Sequence, residues 1–180
     1  MILGERIRLR AAERDDLPQF VLWLNDPEVR LGLEIYLPFS LAEEERWYER
    51  MLEAPAAEHV LVIEANDQDA WRSIGTCGFH GVDWRLRSAE VGIGIGDKTY
   101  WNRGYGTEVM RLLLQHGFET LNLNRVYLRV FSNNDRAIRC YEKAGFVHEG
   151  CLRQAHYQGG EYVDVCMMSV LRSEWVRSNQ

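Results

Sequence analysis

The sequence predicts a single α+β domain over residues 1–180, with its core at about 5–172. Its mixed, mostly antiparallel sheet has about seven strands and carries four helices. Three observations predict this. Segments of period two and period 3.6 follow one another as strand, two helices, three strands, helix, strand, helix, two strands. A loop with two glycines separates the last of the three strands from the helix after it. The 180 residues are 46% hydrophobic, enough for one core.

Ile7, Leu9 and Ala11 alternate with Arg6, Arg8 and Arg10, which reads as a half-buried strand. A helix follows, with Asp15 or Asp16 as cap, Pro18 in its first turn and an apolar stripe of Leu17, Phe20, Val21 and Leu24. Asn25-Asp26-Pro27 ends it, and residues 30–39 read as irregular. Ser40-Leu41-Ala42-Glu43 is a capping-box pattern that opens a second helix with Trp47 and Met51 inward. Its run Glu43-Glu44-Glu45 reads as a solvated first turn favoured by the helix dipole, with a cation site as the alternative.

Strands are expected from His59 to Glu64 and from Ser73 to His80, joined by the polar turn Asn66-Asp67-Gln68-Asp69, and then from Ala89 to Gly96. Together they make an antiparallel meander. After a helix from Gly106 to about Leu121 comes the alternating strand Arg125 to Phe131, placed to lie parallel across that helix. A helix from Asp135 ends at Gly145, a left-handed cap. The strands Phe146 to Tyr157 and Glu161 to Leu171 meet at the turn Gly159-Gly160.

The net charge of −6 disfavours a nucleic-acid binder, which needs a basic face. No stretch approaches the ~20 apolar residues of a membrane span, and Met1-Ile2-Leu3-Gly4-Glu5-Arg6 lacks a signal-peptide core, so a cytoplasmic protein is expected. Cys77, Cys140, Cys151 and Cys166 lack CxxC spacing and are expected to be reduced, buried thiols, with no metal site.

The loop Trp101-Asn102-Arg103-Gly104-Tyr105-Gly106-Thr107-Glu108 opens the helix carrying Val109, Leu112, Leu113 and Phe118. Its glycines allow close backbone approach, and a helix start offers unpaired N–H groups, which suits phosphate. No lysine follows the glycines as a nucleotide P-loop requires. About thirty residues on stands Asn134-Asp135-Arg136-Ala137-Ile138-Arg139-Cys140-Tyr141-Glu142-Lys143-Ala144-Gly145-Phe146. The pair resembles the GCN5-related N-acetyltransferase (GNAT) superfamily. Its pyrophosphate loop reads Gln/Arg-x-x-Gly-x-Gly/Ala and its later segment Asn-x-x-Ala-x-x-x-Tyr-x-x-x-Gly-Phe. The second pattern is met at every fixed position, and the first departs only at Trp101. The element order follows that topology over the whole chain. The segments around Leu9–Leu17, Ala89–Gly92, Gly145–Gly150 and Gly160–Asp164 resemble the ribosomal-protein alanine and spermidine acetyltransferase branch. Of the acidic loop found in the spermidine enzymes, only Glu34 stands plainly here.

The resemblance implies a sheet splayed into a V that takes acetyl-CoA as co-substrate, with pairing into homodimers common. It places Ile93, Gly94 and Ile95 beside the thioester, and Trp101, Asn102, Arg103, Gly104, Tyr105, Gly106, Thr107 and Asn134 at the cofactor. Gly92, Gly94 and Gly96 suit a distorted strand. Backbone N–H groups around Ile93 to Ile95 suit a developing oxyanion, and Arg103 would add charge at the pyrophosphate. Tyr141 matches the family's general acid, although its spacing also suits a core aromatic. Asn134 is in either case a helix cap. Glu90 corresponds to a glutamate that related enzymes use as base through water, and equally suits a partner for Arg125 or Arg129. His80 and His116 titrate in the right range but read as surface or structural residues. Trp84, Tyr36 and Tyr157 suit either acceptor walls or ordinary packing. The activity implied is acetyl transfer to a primary amine of a small molecule such as a polyamine, or of a protein N-terminus. An acyl-CoA-binding module without turnover is the alternative, and a tunnel closed by side chains would mark it.

Overall fold

In the computed structural model, which describes residues 1–67 and 70–178, the apolar alternation at Ile7, Leu9 and Ala11 becomes a strand within an eight-stranded sheet. The order is β1 (Ile2–Leu3), β2 (Ile7–Ala11), β3 (Leu61–Asp67), β4 (Ala70–Asp83), β5 (Ser88–Ile95), β6 (Arg125–Phe131), then β8 (Glu161–Leu171) inside β7 (Val147–Gln158). All neighbours are antiparallel except β5 and β6. The expected meander is β3–β4–β5. The eighth strand is the two-residue β1, too short to carry a period. Asn66 and Asp67, expected in a turn, continue β3 opposite Trp71 and Ala70, while Gln68 and Asp69 lie outside the described residues.

Six α-helices stand among the described residues: α1 (Leu17–Asn25), α2 (Pro27–Arg30), α3 (Leu41–Glu53), α4 (Tyr105–Gln115), α5 (Asp135–Ala144) and α6 (Arg172–Ser178). The four expected helices are α1, α3, α4 and α5. The Asp26-Pro27 pair that stops α1 also starts α2, because the Asp26 carboxylate accepts from the Glu28 and Val29 N–H groups at 2.9 and 3.3 Å. The Ser40/Glu43 capping box forms as expected. Gly145 takes φ of 103° and closes α5. Beyond Gln115 the α4 ladder widens into a π-type turn over His116–Thr120.

Neighbours on β3, Val62 and Ile63 face opposite sides of the sheet, and each joins a different apolar cluster. Val62 packs with Leu17, Phe20, Tyr48 and Met51 of α1 and α3, and Ile63 with the larger cluster around Val109, Leu113 and Phe118. On the α1 face, Arg10 bridges Glu64 at 2.9 Å and Asp16 at 2.7 Å. Burial pushes both carboxyls up, but the Arg10 guanidinium, with Arg8 on Glu64, holds each below its ordinary range. These groups therefore stabilise the fold at neutral pH and lose that effect as pH falls through their lowered values. Arg10→Leu is expected to cost about 2 kcal/mol at pH 7 and progressively less as pH falls below the ordinary carboxylate range, read from urea melts followed by circular dichroism across that range.

The cysteine reading needs correction: Cys151 and Cys166 form a disulfide, and only Cys77 and Cys140 are free. Counting from the turn pairs Tyr157 with Tyr162 and would put Cys151 opposite Met168. Between Leu152 and His156, however, three residues of β7 face the single Asp164 of β8. That bulge of two residues slides Cys151 opposite Cys166. No helix among the described residues is long and apolar enough to cross a membrane.

Candidate active site

Pairing of β5 with β6 stops after three residues, Glu90 with Tyr127 being the last. Beyond it β5 runs on to Ile95 beside β4 alone, so its other edge is open. Gly96 N donates to Ile74 O on β4 at 2.9 Å. Strand alternation then turns the Gly94 N–H toward β4 and those of Ile93 and Ile95 toward the opening. Of the three residues expected to supply donors, Ile93 and Ile95 turn their N–H groups to the open edge, and Gly94 between them turns its own to β4.

The wedge leads to the start of α4. Gly104, at φ 85°, is its N-cap and has no side chain to cap with. The N–H groups of the first turn, Tyr105 to Thr107, therefore open onto a cavity of about 330 Å³. That cavity is lined by Ile93, Gly94, Ile95, Trp101, Asn102, Gly104, Tyr105, Gly106, Thr107 and Asn134, all expected at the cofactor. A Cβ at Gly106 would stand 3.1 Å from Cys140 Sγ, so glycine there keeps α4 against α5. Trp101, the departure from the motif, pins the open edge: its indole Nε1 donates to Ile95 O at 2.7 Å, and Arg136 lies over its ring.

Arg103 is the one expected cofactor residue that does not line this cavity. Its guanidinium lies over Tyr100 and Tyr105, and its Nη1 donates to Thr99 O. Arg136, Arg139 and Lys143 of α5 supply the positive charge instead. Helical spacing of three and four puts them on one face, a signal present in the sequence.

Asn134 caps α5, its Oδ1 accepting from Ala137 N at 3.2 Å, and it also lines both this cavity and a second one. Tyr141 likewise lines both. Its ring packs on Phe146, it is 8% exposed, and its hydroxyl has no partner among the described residues. Burial pushes its phenol up, as does the neighbouring Cys140 thiol, so it stays protonated.

The second cavity, of about 530 Å³, lies between β4, β5 and the α1–α3 side. Glu90 lines it but accepts from Arg129 Nε at 2.8 Å, and Glu34 stands 3.9 Å from the same guanidinium. Glu90 is thus an ion-pair partner of Arg129, one of its two expected roles, and it also reaches the cavity. His80 lines the mouth and is exposed, and His116 lies on neither cavity. Trp84, Tyr36 and Tyr157 are exposed and line neither.

Of the run Glu43-Glu44-Glu45, expected in solvent, Glu44 is a correction. It is 3% exposed and lines this cavity with Trp23 and Trp47, because the 100° step of α3 leaves its neighbours outside. Burial pushes its carboxyl up to about 7. No group of three or more His, Cys, Asp or Glu among the described residues is placed to hold a metal ion.

Residues 6–147 match the Acetyltransferase (GNAT) domain family. Over 176 residues the chain is 32% identical to the N-acetyltransferase p20 of Bacillus licheniformis, covering 95% of this chain and 96% of that protein. It is 29% identical to the spermidine N(1)-acetyltransferase of Vibrio cholerae, covering 99% of this chain and all of that protein. The solved structure of spermidine N-acetyltransferase from Vibrio cholerae in complex with CoA and spermine aligns at a TM-score of 0.84 and 30% identity, covering 96% of this chain and 99% of that one.

Proposed function

The chain belongs to the GNAT acetyltransferases, enzymes that use acetyl-CoA, and from that premise we propose that it transfers the acetyl group to a primary amine by direct attack on the thioester. The carrying observation is Tyr141, whose unpartnered hydroxyl lies where the cofactor-side and acceptor-side cavities meet. An open acceptor cavity of about 530 Å³ next to that hydroxyl supports turnover over a silent binding module.

The residues divide the work along the wedge. First-turn N–H groups of α4, with Arg136, Arg139 and Lys143, suit a pyrophosphate. The open N–H groups of Ile93 and Ile95 and the C=O of Ile93, with the Ile95 carbonyl already taken by Trp101, suit amide groups of the arm that carries the thioester, and a donor from the same edge suits charge developing on its carbonyl oxygen. Tyr141 is placed to protonate the departing thiolate; burial keeps the proton on the phenol at working pH, and the transfer is drawn by the thiolate charge that develops beside it. Acceptor-side carboxylates favour a cation, in keeping with the spermidine enzymes among the relatives. A small-molecule amine is therefore the preferred acceptor and a protein N-terminus the second. Residues 1–180 act as one domain in this reading.

Release of free CoA from acetyl-CoA tests this over spermidine, spermine, peptides with N-terminal Ala or Ser, and aminoglycosides. Turnover on one amine class is expected. Tight acetyl-CoA binding with no release on any member would favour the silent module.

A further inference from the structure

We propose that Glu44, between Trp23 and Trp47 on the α1–α3 wall of the acceptor cavity, is the subsite that binds the acceptor's alkylammonium group. This rests on the acetyl-transfer reading above.

Glu90 and Glu34 share the one Arg129 guanidinium, so each has an ion-pair partner although together they keep one unit of negative charge. His80 is exposed at the mouth, Cys77 is a buried thiol pushed well up by burial, and Tyr141 is a neutral phenol. Glu44 differs from all of these. It is 3% exposed, and its carboxylate has no hydrogen-bond or ion-pair partner among the described residues. A buried carboxylate without a partner carries a desolvation cost when ionised, here seen in the raised value of Glu44, and a ligand cation beside it would offset that cost.

The surroundings select the ligand. Phe20 stacks on Trp23 with centroids 5.9 Å apart and meets Trp47 edge-on at 6.5 Å, so the wall beside Glu44 is aromatic. Indole faces attract a cation and accept an aliphatic chain, and they offer nothing to a second anion. Val60 and Leu24 continue the wall and add only apolar surface. One carboxylate in an aromatic wall matches one alkylammonium on an aliphatic body. A hydroxylated aminoglycoside would leave its hydroxyls unanswered against the same wall.

The test is calorimetric titration of the enzyme with CoA present, using pentane-1,5-diamine and pentan-1-amine as probes and pentan-1-ol as the uncharged counterpart. Wild type is expected to bind the amines and to bind the alcohol at least tenfold more weakly. Glu44→Gln should weaken the amines about 10- to 100-fold and leave the alcohol unchanged, with Glu44→Asp recovering part of the loss. Trp47→Leu, on the same wall one turn along α3, should weaken the amines more than the alcohol. Gln removes a charge that burial disfavours, so this variant is expected to fold at least as stably, checked by thermal melt. In turnover the loss should fall on KM more than on kcat.

Equal amine affinity in wild type and Glu44→Gln would overturn the subsite, as would a wild type that does not prefer the amines to the alcohol. CoA release in the same samples separates the two readings. Turnover untouched by Glu44→Gln would sink the subsite and leave acetyl transfer. Glu44-dependent amine binding without release would sink acetyl transfer and leave the subsite.

Discussion

Tyr141→Phe is expected to lower kcat by about 10²- to 10³-fold, the range that a positioned proton donor contributes, while acetyl-CoA binding changes less than about threefold. The phenyl ring keeps its packing on Phe146, so the fold should be nearly unaffected. The deleted hydroxyl has no partner among the described residues to leave stranded, which is the costly part of most Tyr→Phe changes. Burial keeps the wild-type phenol protonated beyond the assay range, so the variant should lose rate by a similar factor from pH 7 to pH 9. Single-turnover kinetics together with a melting curve decide between the two roles of this residue. A stable variant with unchanged kcat would make Tyr141 a core aromatic only.

Gly75→Ala should have the largest effect on stability. A Cβ there would stand 2.1 Å from Gly94 O and 2.8 Å from Ile95 Cα. Both obstacles are backbone, so no side chain can rotate away, and β4 and β5 must separate locally. A cost of about 3 kcal/mol is expected, lowering Tm by roughly 10 °C in a domain of this size. Gly78, three residues along the same strand, is the control, since its nearest neighbours would be 3.6 Å away, at ordinary contact distance, and alanine there should be tolerated. The strain falls on Gly94 and Ile95, which line the cavity proposed for the cofactor. Gly75→Ala should therefore also weaken acetyl-CoA binding at temperatures where the protein remains folded, and calorimetric titration at 10 °C checks this.

Elements whose signals are local were legible in the sequence. Ser40 with Glu43, Asn134 before α5, Gly145 after it and Gly159-Gly160 between the last strands each report a backbone conformation that the residue itself imposes. The loop at Gly104 and the Tyr141 helix were legible for the same reason, and their spacing carried the family resemblance. Trp101 looked like a loss from the motif. Its role depends on Ile95 and Arg136, six and thirty-five positions away, and no local pattern encodes it.

Local pattern was sufficient for the fold class, the order of elements and the cofactor side of the cleft, because caps, periods and glycine turns act within a few residues. Long-range packing alone selected which group of a chemically equivalent set does the work. Three successive glutamates are indistinguishable by type; Glu44 alone shares the stripe of Trp47 and Met51, at spacings of three and seven, and the seating of α3 on α1 and β3 buries that stripe. Arg103 and Arg136 are both cations near the phosphate loop, and only the approach of α5 to α4 gives the cavity to Arg136. Cys151 meets Cys166 through a bulge that no count from the turn contains. In each case side-chain direction follows from a packing angle or a register between distant segments, and those are properties of the assembled sheet.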